Sequence, residues 1–345
     1  MKILYGIENH FPGYGGPYTA VSQTAYNLYL HDIDVKLIYA KNENYKYNLD
    51  LKTIIEDYDI CHFFGIWTPW YYKAFNIAKK LNKKIIISPL GALEPWAMSQ
   101  KKYKKLLAWH FYQKKILNNS TYIHATSVDE KEHLIELGVN TPIKVLSHGI
   151  EISKIKLIKH EIKPNKKAIF FSRIHEKKGL LELIESWKKI NHPDWHLDIY
   201  GPVTDFLYLK KIKEKIKELD LSQKINLFSP IYTPEEKKNL YMSSDCFILP
   251  SKSENFGMSI GESLSFGVPV ITTTQTPWKI IERYNAGMIF DFSQENLTKT
   301  LKKFFSLTSS ELESMRLNSK KLIDENYDFK TIIPEYIKFY KSLIK

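Results

Sequence analysis

One stretch of the chain decides its fold: Ser253-Glu-Asn-Phe-Gly-Met-Ser-Ile-Gly-Glu-Ser-Leu-Ser-Phe-Gly-Val-Pro-Val-Ile-Thr-Thr273. Short apolar segments at Cys246–Leu249 and Pro269–Ile271 predict two strands, and Met258–Phe266 predicts a helix between them. The loop Pro250–Gly257 therefore leads directly into a helix N-terminus. Such an end offers unpaired N–H groups and a positive dipole, which favour the binding of phosphate.

Two glutamates flank this helix N-terminus. Glu254 lies on the loop, and Glu262 lies roughly one turn inside the helix. Carboxylates do not bind phosphate, but they accept hydrogen bonds from sugar hydroxyls, so two acids beside a phosphate site favour a sugar nucleotide. Glutamate near a helix N-terminus is also favoured by the dipole alone. On these residues alone, a solvated helix end with incidental glutamates is an equally good interpretation.

The same alternation of strand and helix runs along the whole chain. Two successive sets of short apolar segments, separated by segments of helical periodicity, predict two parallel sheets covered on both faces. This pattern indicates an α/β protein with two Rossmann-like domains. We predict an N-terminal domain over residues 1–155, a C-terminal domain over 156–328 and a terminal amphipathic helix over 329–345, with a lysine-rich linker at 152–167.

Composition limits the possible partners. With 345 residues, of which 43% are hydrophobic, the chain is long enough for two folded domains, and no apolar run is long enough to span a bilayer. Cys61 and Cys246 lie in predicted strands and form no disulfide framework, which suits the cytoplasm. The net charge of +12 comes almost entirely from lysine, since arginine occurs only at positions 173, 283 and 316. Proteins that read bases rely on arginine, so no nucleic acid is expected.

The stretch Leu249–Glu262 resembles the Glu-x7-Glu signature of retaining glycosyltransferases of family 4, and Gly267–Thr273 matches the same family pattern. The resemblance implies the GT-B fold, in which two Rossmann-like domains face each other across a cleft and the C-terminal helix returns to the N-terminal domain. It implies a retaining, metal-independent transfer of a sugar from a nucleotide-diphosphate sugar, a UDP- or GDP-sugar, to a hydroxyl of a glycan or lipid-linked glycan. Such enzymes build cell-surface polysaccharide such as lipopolysaccharide, O-antigen or capsule.

Phosphate-binding side chains are expected in Phe171-Ser-Arg-Ile-His-Glu-Lys-Lys-Gly179, which follows a predicted strand. Arg173 lies at the carboxyl end of that strand, and its planar fork suits a diphosphate. Lys178 supplies a second positive charge, whereas Lys177 is interpreted as a bystander. The segment resembles the family's Arg-x4-Lys-Gly signature, which implies the diphosphate role for Arg173 and Lys178. An ordinary surface arginine and lysine are the alternative.

The resemblance also assigns the other donor residues. It implies that Glu262 holds the ribose hydroxyls and that Glu254 holds the transferred sugar. It further implies that Asn255, Phe256, Gly257 and Met258 bind the donor, the last three through backbone N–H groups. No cofactor is expected beyond the nucleotide-sugar substrate, and no metal, because no Asp-x-Asp motif or metal-ligand spacing occurs.

Two loops of the N-terminal half resemble family motifs. Phe11–Thr19 lacks the Gly-x-Gly-x-x-Gly fingerprint. It resembles instead the glycine-rich loop between donor phosphate and acceptor, which implies donor contacts at Gly15 and Gly16. Ser88–Ala97 resembles a second family loop but carries Leu90 where many relatives have histidine. The proposed retaining mechanism passes the acceptor proton to the leaving phosphate, so no base is required there.

A segment without acidic residues, from Trp96 to Leu117, alternates lysines of the Lys101–Lys115 region with aromatic residues. It predicts either attachment to an anionic membrane surface or a lysine-coated helix with a buried aromatic side. The protein is accordingly expected in the cytoplasm, with peripheral attachment to the inner face of the cytoplasmic membrane left open. A capping box is predicted for Ser127 and Glu130.

Two other functions are compatible with the same residues. A sugar-nucleotide epimerase or hydrolase on this fold would turn over its donor without an acceptor. A catalytically degenerate partner protein would bind the donor without turnover, and Leu90 is the residue that motivates this alternative.

Overall fold

The computed structural model describes residues 1–9, 16–41, 50–152, 165–190, 192 and 194–344. The chain forms two compact units. The N-terminal unit combines Met1–Gly149 with Phe329–Lys345, and the C-terminal unit is Ile150–Asp328. The boundary between residues 155 and 156 expected from the sequence lies outside the described residues.

The N-terminal unit is built on a parallel sheet of six strands, counted over the described residues, in the order β2-β1-β3-β4-β5-β6. The strands are β1 (Lys2–Asn9), β2 (Asp34–Lys41), β3 (Ile60–Phe64), β4 (Lys84–Ser88), β5 (Tyr122–Ala125) and β6 (Ile143–Val145). Every residue of β3 is buried. Such continuous apolar strands form the centre of a parallel sheet because helices cover both of its faces.

Helices follow most of these strands, as the short apolar runs and the helical periodicity between them predict. They are α1 (Gly16–Tyr29), α2 (Leu51–Glu56), α3 (Pro69–Lys80), α4 (Pro95–Ser99), α5 (Lys102–Ala108), the π-helical turn Trp109–Gln113, α6 (Lys114–Leu117) and α7 (Val128–Glu136). The segment 96–117, expected to be one helix, is therefore divided into α4, α5, the π-helical turn and α6.

The last helix, α15 (Phe329–Leu343), belongs to the N-terminal unit. Its apolar residues recur every three or four positions, and its buried side packs in the cluster that covers one face of the sheet. Two of its tyrosines also make polar contacts in the core. The Tyr340 hydroxyl lies 2.6 Å from that of Tyr5 and 2.8 Å from His62 Nδ1. The Tyr336 hydroxyl lies 3.2 Å from His124 Nε2.

The C-terminal unit also contains a parallel sheet with six strands among the described residues, in the order β12-β11-β10-β7-β8-β9. The strands are β7 (Lys167–Phe171), β8 (His196–Tyr200), β9 (Ile225–Phe228), β10 (Cys246–Leu249), β11 (Val270–Thr273) and β12 (Gly287–Phe290). The helical segments are a 3-10 turn (Glu176–Lys178), α8 (Leu180–Ile190), α9 (Phe206–Glu218), α10 (Pro234–Met242), α11 (Met258–Ser265), α12 (Ile280–Tyr284), α13 (Gln294–Phe305) and α14 (Ser309–Asn326). This strand order is the doubly wound order of dinucleotide-binding sheets.

Several local expectations are confirmed and one is half wrong. Cys61 and Cys246 are both buried and free. Ser127 caps α7, with its hydroxyl accepting from the Glu130 N–H at 3.1 Å. The Glu130 carboxylate does not complete the capping box, because it is buried and accepts from the Gly91 N–H and the Thr126 N–H, each at 2.8 Å. No helix among the described residues has both the length and the apolar character needed to cross a membrane.

Candidate active site

The candidate site lies at the carboxyl edge of the C-terminal sheet, between β7 and β10. These two strands are neighbours although they are not consecutive. The chain continues from β7 to β8 on one side of the pair and from β10 to β11 on the other side. Ligands of open α/β sheets bind at this switch point, beyond the carboxyl ends of the strands. The loops that follow the two strands are 172–179 and 250–257, which contain most of the residues singled out in the sequence.

Backbone contacts hold the two loops together. The Lys252 N–H donates to the carbonyl oxygen of Lys177 at 2.8 Å, and the Ser251 hydroxyl oxygen lies 3.2 Å from the same carbonyl oxygen. Gly179 has φ of +68°, and a Cβ added there would lie 2.0 Å from the carbonyl oxygen of Pro250. Only glycine fits so close an approach, which explains why glycine directly follows Lys178.

Lys178 and Glu254 form an ion pair between the loops. Lys178 Nζ donates to Glu254 Oε1, and each side chain is only 9% exposed. Burial raises the pKa of Glu254. The positive charges of Lys178 and Lys177, together with hydrogen bonds from Lys178 and Ser251, lower it by more than burial raises it, so the pKa lies below its ordinary value. Glu254 is therefore an ionised acceptor for hydroxyl groups, even though it is buried.

Arg173 follows β7 by two positions and is exposed. Its guanidinium makes no hydrogen bond or ion pair with any residue in the described part of the chain. The nearby His175 caps the 3-10 turn, with Nδ1 accepting from the Lys177 N–H at 3.1 Å. Burial and then the charge of Arg173 lower the pKa of His175, so the imidazole tends to be neutral beside the guanidinium. Arg173 thus offers an uncommitted planar donor at the strand end.

Glu262 is held by two side chains of α10 that the sequence did not reveal. Lys237 Nζ lies 2.9 Å from Glu262 Oε1, and the Tyr241 hydroxyl donates to Oε2 at 3.2 Å. Both partners are more than 20 residues away along the chain, so no local motif marks them. Together they fix the carboxylate one turn inside α11.

The helix α11 begins at Met258 with Gly257 as its N-cap, in a left-handed conformation (φ 80°) and without a side-chain cap. Phe256 is buried, its ring packs against Trp278, and its carbonyl oxygen accepts from Trp278 Nε1 at 2.5 Å. The Phe256 and Met258 side chains therefore belong to the core. The Glu254 N–H donates to the Gln275 carbonyl oxygen at 3.2 Å, which ties this loop to the segment that follows β11.

The other candidate residues stay predictions. Asn255 lies in the loop between Glu254 and α11, and Gly16 is the first residue of α1. Gly15 lies outside the described residues. Within the described part of the chain, no three His, Cys, Asp or Glu side chains form a group that could hold a metal ion.

Comparison with known proteins identifies the family of the chain. The family model "Glycosyl transferases group 1" matches residues 153–322, and "Glycosyltransferase Family 4" matches residues 18–154. An uncharacterized glycosyltransferase of Haemophilus influenzae is 26% identical over 202 residues, which cover 57% of this chain and only 54% of that protein. The chain thus spans about half the length of this relative.

Two further proteins are similar over more of the chain. GDP-mannose:cellobiosyl-diphosphopolyprenol alpha-mannosyltransferase of Xanthomonas oryzae is 22% identical over 84% of this chain and 76% of its own length. The crystal structure of HepE from Anabaena, in complex with UDP and glucose, superimposes with a TM-score of 0.78 at 18% identity, over 99% of this chain and 100% of that one.

Two doubly wound α/β units, with the last helix returned to the first, define the chain as a protein of the GT-B class. The matched family models cover both units, and the chain belongs to the glycosyltransferases of group 1 and family 4.

Proposed function

We propose that this glycosyltransferase moves a sugar from a nucleotide-diphosphate sugar to a hydroxyl of a glycan or lipid-linked glycan during cell-surface polysaccharide synthesis, with retention and without a metal ion. The observation that carries the proposal is the Lys178–Glu254 pair at the switch point, with the uncommitted guanidinium of Arg173 two residues beyond β7. Cations and a fixed carboxylate in one place suit a ligand that carries both phosphate and sugar.

Each residue then has a physical role. Arg173 and Lys178 bind the diphosphate and stabilise the negative charge that grows on it as the glycosidic bond breaks. The N–H groups at the start of α11 add a second positive pole. Glu254 accepts from hydroxyls of the transferred sugar, and Glu262, oriented by Lys237 and Tyr241, accepts from the ribose hydroxyls.

The acceptor is proposed to be lipid-linked because the α5 region fits a membrane surface. Trp109 is buried, but Tyr103 and Phe111 are 83% and 79% exposed, and Leu106 and Leu107 are exposed with them. The other interpretation of this segment, a buried aromatic side, therefore holds for Trp109 and in part for the half-buried Tyr112, but not for the exposed aromatic residues. Exposed apolar side chains among lysines suit an anionic bilayer. We expect co-sedimentation with phosphatidylglycerol vesicles, little with phosphatidylcholine vesicles, and loss of binding in Leu107→Ser/Phe111→Ser.

Titration calorimetry with UDP-, GDP- and ADP-sugars tests the donor site directly. We expect one nucleotide class to bind and Arg173→Ala to weaken it at least tenfold, because a hydrogen bond to a charged group contributes about 1.5–3 kcal/mol. Arg283→Ala, which removes an exposed arginine of α12, is the matched control and should bind as the wild type does. Absence of binding by every nucleotide sugar would refute the proposal.

Product analysis distinguishes the finer points. Retention requires that the new anomeric centre has the configuration of the donor, which NMR coupling constants report. Metal independence requires full activity in EDTA. Donor turnover that is complete without any acceptor would favour the epimerase or hydrolase alternative, and donor binding without turnover on any acceptor would favour the degenerate partner.

A further inference from the structure

A second switch point lies in the N-terminal unit, between β1 and β3. Strand β2 lies on the far side of β1, and the remaining strands follow β3 in order, as in flavodoxin-like sheets. The loop after β3 is Gly65-Ile-Trp-Thr68, and the Gly65 N–H donates to the carbonyl oxygen of Ser88 at the end of β4, at 2.8 Å. This loop therefore occupies the part of the sheet where a ligand is expected.

Trp67 has an unusual conformation within this loop. Its φ is +80°, a region that bulky residues rarely adopt and that persists only when neighbouring groups impose it. Two side chains of the π-helical turn hold it. The Trp67 N–H donates to Gln113 Oε1 at 3.0 Å, and the Tyr112 hydroxyl donates to the Trp67 carbonyl oxygen at 2.7 Å. Gln113 is itself buried. Single π-helical turns are frequent at functional sites.

The surroundings of the ring indicate a ligand. Trp67 is partly exposed, and Lys105 Nζ lies 6.0 Å from its ring centre while donating to the Ala97 carbonyl oxygen at 2.5 Å. Trp67 Nε1 and Thr68 Oγ1 are buried atoms without a hydrogen-bond partner among the described residues. Unsatisfied buried polar atoms are uncommon, so two of them in one short loop point to a partner that binds there.

We propose that Trp67 is the platform on which a pyranose ring of the acceptor stacks, with Lys105 and Thr68 binding its oxygens. This inference rests on the proposed function and adds the acceptor subsite to it. A pyranose presents a face of C–H groups, which carry partial positive charge, and an aromatic face attracts such groups as it attracts the ammonium of Lys105. Tyr112 and Gln113 are positioning residues because they act only through Trp67.

Two features of the same segment fit a lipid-linked sugar. Burial and the charge of Lys101 lower the pKa of Lys105, so an oxygen-rich or anionic partner would favour its charged form. The π-helical turn that holds Trp67 through Tyr112 and Gln113 also carries the exposed Phe111. A sugar bound at Trp67 would thus lie on a segment whose other side chains suit a membrane surface.

Saturation-transfer NMR on the full-length protein, with octyl glycosides of glucose, galactose and mannose and the corresponding alkyl diphosphate sugars, tests the subsite. At least one probe should bind saturably to the wild type and at least tenfold more weakly to Trp67→Ala, with Trp67→Phe intermediate. Tyr26→Ala, which removes an exposed aromatic side chain of α1, is the matched control and should leave the affinity unchanged. Tighter binding of the diphosphate probes would identify the anionic linkage as part of the ligand.

Two further substitutions test whether the π-helical turn positions Trp67. Tyr112→Phe should weaken binding of the same glycoside probe several-fold, while the Tm and the nucleotide affinity stay at wild-type values. Gln113→Glu, which keeps the acceptor oxygen, should bind the probe more tightly than Gln113→Leu. Failure of every probe to bind the wild type, or equal affinity in Trp67→Ala, overturns the inference even if nucleotide sugars bind. Failure of nucleotide binding with Trp67-dependent glycoside binding intact would refute the proposed function alone.

Discussion

Replacement of Lys178 by methionine should destabilise the C-terminal unit by about 3–5 kcal/mol, because it leaves the Glu254 carboxylate buried without its counter-charge. The structure supplies the reason for so large a value. Both side chains of the pair are 9% exposed, so solvent screens their interaction little. Glu254→Gln should also be destabilising, since it leaves the Lys178 ammonium buried and uncompensated. The double variant Lys178→Met/Glu254→Gln should recover much of the loss because no unpaired charge remains.

An exposed ion pair of the same unit provides the matched control. Lys210 Nζ and Glu214 Oε1 lie 3.8 Å apart one helical turn from each other, with side chains 73% and 63% exposed. Lys210→Met should cost less than about 1 kcal/mol. Hydrogen exchange of the β7 and β10 amides under urea is the appropriate assay, because it reports on the C-terminal unit itself even when a two-unit chain does not unfold in one step.

The result that would refute this reasoning is a cost for Lys178→Met no larger than that for Lys210→Met. The pair would then be solvated in solution, and the argument that Glu254 is a fixed, ionised acceptor would fail with it. Nucleotide affinity provides the functional counterpart. Lys178→Met should weaken binding of the nucleoside diphosphate at least tenfold, whereas Lys210→Met should not change it, since only Lys178 lies at the switch point.

Three further predictions follow from single contacts. Burial lowers the pKa of His124 to about 4 and that of His148 to about 3, so the unfolded chain binds these protons first. The stability that the neutral His124 contributes to the N-terminal unit should be lost between about pH 6.5 and 4, by about 3 kcal/mol. Because the raised pKa of Glu130 acts in the opposite direction between about pH 7 and 4.5, hydrogen exchange of β5 should be followed in Glu130→Gln, where an acid-independent stability would contradict the prediction. Lys237→Ala should weaken nucleotide binding several-fold in calorimetry, because Glu262 loses its 2.9 Å partner, whereas the adjacent Lys238→Ala should have no effect. Gly179→Ala should lower both the Tm and the nucleotide affinity, since the added Cβ cannot be accommodated 2.0 Å from an oxygen atom; a variant with wild-type values would show that the loop relaxes freely.

Much of the fold was predictable because its signals are local. Strands such as Cys246–Leu249 are short apolar runs between turn residues, and the structure places β10 at those residues. The next strand was predicted from Pro269, but β11 begins at Val270 and extends to Thr273. Proline lacks the N–H group that a strand needs for its ladder, and the register with β12 extends the other end of the strand.

The rest of the site depends on contacts that no local pattern encodes. Lys237 appeared in the sequence as one lysine of a lysine-rich chain, and only the packing of α10 against α11 makes it a partner of Glu262. Glu130 shows that a local pattern can also predict a contact that the fold does not form. Its spacing from Ser127 predicted a capping box, but tertiary packing directs the carboxylate to Gly91 and Thr126 instead. There burial raises the pKa of Glu130 to about 7, even though backbone hydrogen bonds oppose the shift.

A carboxylate beside a diphosphate is unfavourable, and the Lys178–Glu254 pair shows how the chain would accommodate one at the proposed donor site. Lys178 pairs with the buried Glu254 carboxylate and, with Lys177, holds its pKa below the ordinary value. Under the proposed function, the acceptor for sugar hydroxyls would therefore be oriented before the donor binds. Because Lys178 is then partly neutralised by Glu254, the charge available to a diphosphate comes mainly from Arg173, which has no competing partner among the described residues, and from the N-terminus of α11. This division is a physical reason for an arginine at this position in a chain that has only three arginines. Under the proposed function, the lysine would fix the site before binding, and the arginine fork would meet the charge that develops when the glycosidic bond breaks.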